Sequence, residues 1–300
     1  MKAYTKSEGK LRKEARRFLR DIPAWVLILP SLALILLIVW RPIIIGGVLS
    51  FFDKSGDVFV GLDNYKSILT DSLFVKTLLN TVAYVLWSLV IGMIPPIVVA
   101  ILLNDVVHGS SFIKAALYLP TILPGIAVSL LWGFIYKADG SGLLNMLLSY
   151  AHIEPQVWLQ NEKLTIPLII ISLTWKGFGF TSIMYLASLQ GINRELYEAA
   201  MLDGAGIWKR TVKITLPHMY PMILLFGVNQ IKSVFTIMTE PLVMTGGGPN
   251  NASLSLGLQN YRYAFQYYDM ASSYALGFVM FLILLCITLI YFRLEKKMNS

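Results

Sequence analysis

Five polar residues interrupt an apolar stretch near the C-terminal end of the sequence, at Asn229, Lys232, Ser233, Thr236 and Glu240. The intervals of 3, 1, 3 and 4 residues would place all five on one face of a helix. Such amide, hydroxyl and charged groups can bind a polar solute, and inside a membrane they face a cavity or another helix. Two interpretations of this polar stripe stay open. It lines a solute path, or its members bond to neighbouring helices while Lys232 pairs with Glu240.

A second polar group lies in the preceding apolar stretch and contains Trp175, Lys176, Thr181 and Ser182. The indole of Trp175 could stack on the apolar face of a ligand, or it could only pack between helices. We therefore add Trp175 to the polar stripe as a candidate residue of a substrate path.

Motifs that would indicate catalysis are missing from the sequence. It has no G-x-x-x-x-G-K-[ST] phosphate-binding loop and no H-E-x-x-H helix, and its glycine-rich segment GGGPNNAS has no lysine. The histidines at His108, His152 and His218 lack the spacing of metal ligands. We predict no catalytic residue, no metal site and no bound cofactor. The chain is not expected to be an enzyme or to hydrolyse ATP.

The composition is that of a membrane protein. Hydrophobic residues make up 56% of the 300 residues and charged residues only 14%, with a mean hydropathy of +0.65; soluble domains carry about 25% charged residues. The apolar runs have about the 20 residues that a helix needs to cross the hydrocarbon. We predict an all-α integral membrane protein.

Six transmembrane helices are predicted, which puts both termini on the same side of the membrane. Prolines should bend the second helix at Pro95–Pro96 and the third at Pro120 and Pro124. The spans are expected at about 24–50, 78–103, 112–136, 166–189, 220–244 and 271–291.

The distribution of charge indicates which side the termini occupy. The net charge is +8, and eight cations precede the first span, at Lys2, Lys6, Lys10, Arg12, Lys13, Arg16, Arg17 and Arg20. This position suits the positive-inside rule and anionic lipid headgroups better than a nucleic acid. We predict a multi-pass protein of a bacterial-type cell membrane with both termini in the cytoplasm. No nucleic-acid partner is expected.

Four regions follow from these spans. They are a basic cytoplasmic tail (1–21), a first transmembrane helix with its external loop (22–77), a core transmembrane domain (78–292) and a cytoplasmic C-terminal tail (293–300). The core includes a charged cytoplasmic loop at 192–218.

The charged loop reads as two short helices joined at a glycine turn. Asn193 can cap a helix over 194–203, and Gly204 can end it in the left-handed conformation. A second helix over about 207–214 is expected to stop before Leu216–Pro217. The residues alone leave two roles open, an amphipathic surface loop on lipid headgroups or a docking site for a cytosolic protein.

The spacing within this loop resembles the EAA loop of binding-protein-dependent ABC transporter permeases. EAA is followed after three residues by Gly, and after nine more by I-x-L-P. The matching positions are Glu198, Ala199, Ala200, Gly204, Ile214, Leu216 and Pro217, with Asp203 and Ala205 also as in the family.

Further segments resemble the carbohydrate branch of that family, the permeases of maltose, lactose, glycerol-phosphate and multiple-sugar systems. They are VGLDNY, YLPTILPGIAVSLLWGFIY, DGSGLLN, MTGGGPNNAS and YRYAF. The chain departs from the family at Asn193, where proline is common, and at Lys232, an unusual charge for the fifth span.

This resemblance implies a fold like that of type I ABC importer permeases and a division of labour among subunits. The chain and a second homologous permease would form the pore. Two ATP-binding subunits, which carry ATP and Mg²⁺, would dock on the EAA loops, and an extracellular or periplasmic solute-binding protein would deliver the sugar. The coupling residues would be the nine EAA-loop positions. The alternatives are a stand-alone secondary transporter or channel that uses Lys176, Lys232 and Glu240, and an ABC permease for a non-sugar solute.

Overall fold

The computed structural model describes residues 24–104 and 110–298, and within them the secondary structure is helical, with one isolated β-bridge between Phe52 and Phe59. The all-α prediction is therefore confirmed for the described residues. The helices before the first long internal loop are α1 (Ala24–Leu49), α2 (Asp63–Thr70), α3 (Ser72–Ile91), α4 (Ile94–Asn104), α5 (Ser110–Ile122) and α6 (Gly125–Ile135). The remaining helices are α7 (Leu143–Tyr150), α8 (Thr165–Gln190), α9 (Arg194–Leu202), α10 (Ile207–Phe235), α11 (Thr239–Thr245), α12 (Leu256–Tyr261) and α13 (Met270–Met298).

Five of the helical segments in the described residues are long and apolar enough to cross a membrane: α1, the pair α3–α4, α8, α10 and α13. A sixth candidate consists of α5 and α6, which are bent by 97° at Leu123–Pro124. The predicted third span was expected to deviate from a straight helix, and it is in fact broken. Pro124 has an extended backbone and lacks the N–H that would continue α5, so the chain turns there.

The helix α8 lies at the centre of the fold and contacts α3, α4, α5, α6 and α10. One end of it packs Tyr185, Leu186 and Leu189 against α4 and α10, and the other end packs Ile169 and Ile170 against α3. α5 comes so close to α8 that only a glycine fits at Gly179, as is common where membrane helices cross. In contrast, most apolar side chains along α1 are exposed, and this helix packs on α13 through its last part, Arg41–Leu49.

Two of the long helices accommodate a proline by widening one turn into a π-helix. Before Pro42, the N–H of Arg41 bonds to the carbonyl of Leu36; before Pro217, the N–H of Leu216 bonds to that of Thr211. The expectation that the second loop helix stops before Leu216–Pro217 is therefore wrong. The π-turn accommodates Pro217, which has no backbone N–H to donate. The loop helix therefore continues into the fifth membrane helix, and the two together form α10. In the second span, the helix is interrupted at Gly92–Met93, just before the predicted Pro95–Pro96 bend.

An ion pair on the predicted external side ties the loop after α1 to the start of α13. The ammonium of Lys54 lies 2.9 Å from the carboxylate of Asp269. Burial acts to raise the pKa of Asp269, but hydrogen bonds from Lys54 and Ser272 outweigh it and hold that pKa below its usual value.

The segment around α7 is organised by one buried amide, Asn145. Its nitrogen lies within hydrogen-bond distance of the carbonyls of Lys137, Ala138, Asp139 and Gln156. Its oxygen accepts hydrogen bonds from the Gln156 N–H (2.9 Å) and the Trp158 indole (2.8 Å). The asparagine of the DGSGLLN motif thus joins both ends of this loop.

We expect Asn145→Asp to lower the free energy of unfolding by about 3 kcal/mol, because a carboxylate would replace the donor that faces the carbonyl oxygens. Asn161→Asp is the matched control. The Asn161 oxygen accepts from the Lys163 N–H at 3.0 Å, which a carboxylate does equally well. Thermal unfolding of the purified variants in detergent measures the difference. Equal melting points for the two variants would contradict the central role of Asn145.

Candidate functional site

The charged loop folds into a helical hairpin, in which α9 and the start of α10 are joined by a turn at Gly204. Asn193 caps α9 by accepting a hydrogen bond from the Glu195 N–H at 3.0 Å. At the other end, Gly204 has φ +72°, the Gly204 N–H bonds to the Met201 carbonyl, and the Ala205 N–H bonds to the Ala200 carbonyl. These two bonds form a Schellman motif, which the glycine makes possible. The predicted cap and the predicted left-handed glycine are both present.

One side of the hairpin packs against the transmembrane helices. The hydroxyls of Tyr197 and Thr215 are 3.0 Å apart and connect α9 with α10. Tyr197 and Ile214 pack against the buried cluster that contains Leu189 and Met219. The other side of the hairpin is exposed.

The nine EAA-loop positions occupy this hairpin in two groups. One group surrounds the end of α9 and is mainly exposed, although Ala200 and Ala205 are half-buried. The other group lies where α10 enters the membrane. There, Ile214 and Leu216 are half-buried and Pro217 is exposed. The mainly exposed group consists of Glu198, Ala199, Ala200, Asp203, Gly204 and Ala205.

The tip of the hairpin carries three large apolar side chains that sequence reasoning missed. Leu202, Ile207 and Trp208 are 90%, 74% and 80% exposed, and they surround the turn at Gly204. We call these three residues the apolar tip. The signal was present in the sequence as apolar residues at the two ends of a charged turn. A solvent-exposed patch of this kind is typical of a protein-binding surface.

The polar stripe does not lie on a single helix, so the prediction of one continuous helical face is wrong. Asn229, Lys232 and Ser233 belong to α10, Thr236 forms its C-terminal cap, and Glu240 lies in the separate helix α11. Ser255 of a later segment donates to the carbonyl of Ile237 and holds the break between the two helices.

The four members of the stripe on and beside α10 nevertheless share one exposed face: Asn229, Lys232, Ser233 and Thr236. Two of their side chains bond back to their own helix, Asn229 to the Leu225 carbonyl and Thr236 to the Lys232 carbonyl. Within residues 24–104 and 110–298, no carboxylate lies within ion-pair distance of Lys232, so the Lys232–Glu240 pair that one of the two open interpretations included is not formed.

A cavity of about 320 Å³ lies beside this face, between α3, α5, α8 and α10. Its polar lining consists of Thr121, Thr174, Lys176, Thr181, Gln230 and Ser233. The half-buried Glu240 is near enough to Lys176 for the two charges to interact. Trp175 is partly exposed and meets Trp132 edge to face, with ring centroids 5.9 Å apart. The structure thus brings Lys176, Ser233 and Glu240 into one region, with Lys232 and Asn229 on the adjoining side of α10.

The glycine-rich segment after α11 is held by side chains of α3. The Asn80 amide donates to the carbonyls of Asn251 and Leu254, at 2.7 and 3.0 Å, and the Tyr84 hydroxyl donates to the Ser253 carbonyl at 3.0 Å. These hydrogen bonds hold the segment against α3.

Comparison with known proteins gives consistent matches. Residues 67–300 match the family described as "Binding-protein-dependent transport system inner membrane component". The probable ABC transporter permease protein YurN of Bacillus subtilis is 32% identical, over 91% of this chain and 95% of that protein. The multiple sugar-binding transport system permease protein MsmF of Streptococcus mutans is 30% identical, over 94% of this chain and 98% of that protein. Among solved structures, a bacterial alginate ABC transporter in complex with an alginate pentasaccharide-bound periplasmic protein contains a chain with a TM-score of 0.83 and 25% identity, over 95% of this chain and 98% of that one.

Proposed function

The chain belongs to the family of binding-protein-dependent transport system inner membrane components, the permeases of bacterial ABC importers, and on this premise we propose that it forms half of the pore of a sugar importer. The solute would be a sugar or an oligosaccharide, as the names of its relatives suggest. A second homologous permease would supply the other half of the pore, two ATP-binding subunits the energy, and an external binding protein the solute.

One observation carries the proposal: a single helix, α10, begins at the apolar tip and ends at the exposed polar stripe. Force applied to the tip by an ATPase would reach the stripe through one continuous element. The exposed amide, hydroxyl and ammonium groups of the stripe would be costly against lipid, which favours their facing a water-filled path or the second permease.

In this assembly we place both termini and the hairpin in the cytoplasm, and we count the bent pair α5–α6 as one of six spans. The coupling residues are those predicted from the EAA spacing, with the apolar tip added to them. The substrate path is bordered by Trp175, Asn229, Lys232, Ser233, Thr236 and Glu240, together with the cavity around Lys176. No step of ATP hydrolysis takes place on this chain.

Reconstitution tests this function and its alternatives. The chain would be co-expressed with the second permease, the ATPase and the binding protein encoded beside it, and the complex placed in proteoliposomes. We expect oligosaccharide to accumulate only when ATP and the binding protein are both present. Flux through the chain without the ATPase would instead support a stand-alone transporter or channel. ATP-driven uptake of a non-sugar solute alone would support a permease of another substrate class.

We expect Gly204→Val to reduce ATP-driven uptake by about tenfold or more while the protein still inserts into the membrane. A β-branched residue is strained at φ +72°, and the Schellman turn that orients the apolar tip would be distorted. The matched control is Gly204→Asn, because asparagine adopts this conformation readily. Apart from its chain neighbours, no atom of the described residues lies within 4 Å of a Cβ placed at Gly204, so a difference between the two variants reflects backbone conformation and not a clash. Equal uptake by both would contradict the prediction.

A further inference from the structure

The environment of Lys232 contains more positive than negative charge. Lys232 is exposed on α10 and borders a cavity of about 410 Å³ between α10 and α13. Among the residues that line it, Lys232 is the one with a formal charge; Asn229 and Thr288 are polar, and the others are mainly aliphatic or aromatic, including Phe281, Leu284 and Tyr291. An ammonium in such surroundings requires an anionic partner, since unpaired charge inside a membrane is costly.

The charge of Lys232 is stabilised by its own helix, but no carboxylate in the described ranges 24–104 and 110–298 lies within ion-pair distance of it. Lys232 lies in the last turn of α10, where the free carbonyls of the helix end favour a cation. This interaction involves only backbone carbonyls of α10. It leaves the ammonium exposed toward the cavity and free to receive an anion.

A second lysine, Lys176, belongs to α8 and borders the other cavity beside α10, together with Thr121, Thr181 and Gln230. Glu240 is near enough to Lys176 for the two charges to interact. Among the described residues that line these two cavities, Lys176 and Lys232 are the charged ones, and both are cations. Even with the nearby Glu240 ionised, the described residues of this region carry more positive than negative charge.

We infer that the transported solute is an anionic saccharide, one that bears a carboxylate or a similar acidic group which Lys232 receives. This inference rests on the proposed function and adds the charge of the substrate to it. The hydroxyl and amide groups around Lys176 and Asn229 suit the neutral hydroxyls of a sugar, whereas the ammonium of Lys232 distinguishes an acidic sugar from a neutral one. The other source of an anion would be a carboxylate of the second permease.

The experiment uses the complete reconstituted complex and two chemically matched pools of solute. One pool contains pectin-derived oligogalacturonates; the other is the same pool after reduction of its carboxyl groups to neutral alcohols. Accumulation inside proteoliposomes is measured by mass spectrometry for the parental chain, Lys232→Met and Lys232→Arg. Co-purification of the two permeases is measured for the same three chains.

We expect the parental complex to prefer the acidic pool by on the order of tenfold. Lys232→Met should lose that preference while the permeases still co-purify, and Lys232→Arg, which keeps the charge, should retain it. Equal ATP-driven uptake of both pools would overturn the inference and leave the proposed function intact. Loss of permease co-purification in Lys232→Met would also overturn it, because the lysine would then pair with the second subunit. ATP-driven uptake of other, neutral oligosaccharides with none of the acidic pool would likewise overturn the inference, whereas absence of ATP-driven uptake of any saccharide would count against the proposed function.

Discussion

Replacing Gly179 by alanine is expected to destabilise the protein by about 3 kcal/mol or more. A Cβ at this position would lie 1.9 Å from the carbonyl oxygen of Leu117 and 2.3 Å from its carbon, both backbone atoms of α5. A backbone contact cannot be relieved by a side-chain rotation, so α5 and α8 would have to move apart. The cavity around Lys176 lies between these two helices and would be deformed as well.

Gly177→Ala is the matched control for this prediction. It lies two residues away on the same helix, and outside that helix turn no atom of the part of the chain that the structure describes is within 4 Å of its added Cβ. Alanine should be neutral or slightly stabilising there, by less than about 1 kcal/mol, because it favours the helix more than glycine does. Melting temperature and yield in detergent measure both variants. Similar values for the two would show that the α5–α8 approach is looser than the structure indicates.

Replacing Trp208 by serine is expected to weaken binding of the ATP-binding subunits by about 30-fold to 1,000-fold, which corresponds to roughly 2–4 kcal/mol. On the proposed function, the exposed indole inserts into the partner and supplies apolar area that serine lacks. Trp208→Phe keeps an aromatic ring and should bind nearly as well as the parental chain.

Surface plasmon resonance with the purified ATPase measures this affinity directly. The melting temperature of the permease serves as the internal control, because a side chain that is 80% exposed contributes little to the fold. If Trp208→Ser bound the ATPase with parental affinity, the apolar tip would not be the docking surface.

Local features of the hairpin could be predicted because they depend on neighbouring residues. Asn193 caps a helix through its own side chain, and Gly204 ends that helix because only a residue tolerant of positive φ fits there. The α-helical class likewise followed from composition and from the length of the apolar runs. Leu202 and Trp208 stand at the two ends of a charged turn in the sequence, but their exposure could not be derived from that position, because it depends on what packs against them in the tertiary structure.

The break in the fifth span has a local cause and a distant one. Pro241 lacks the N–H that a continuous helix would direct to the Ile237 carbonyl, and its ring would clash with that carbonyl, a signal in the sequence that the prediction of one helical face did not use. The carbonyls of Thr236 and Ile237 are instead approached by Gly257, where an added Cβ would lie 2.6 Å from each oxygen. Ser255 donates to the second of these carbonyls. The proline indicates that the helix must break, whereas the group that satisfies the freed carbonyl comes from the segment of α12 and could not be predicted from the local sequence.

The 97° break between α5 and α6 has a consequence for hydration. The two helices, at about 1.5 Å per residue, measure about 20 Å and 17 Å, so neither alone crosses the hydrocarbon. The last carbonyls of α5 have no partner within that helix, and lipid chains offer none. Irregular backbone persists at this depth only where protein or water covers it, and here Thr121 of α5 borders the cavity around Lys176. On the proposed function, a solute in this cavity would exchange its water shell for polar backbone and side-chain groups, so its dehydration would be less unfavourable here than in the surrounding bilayer.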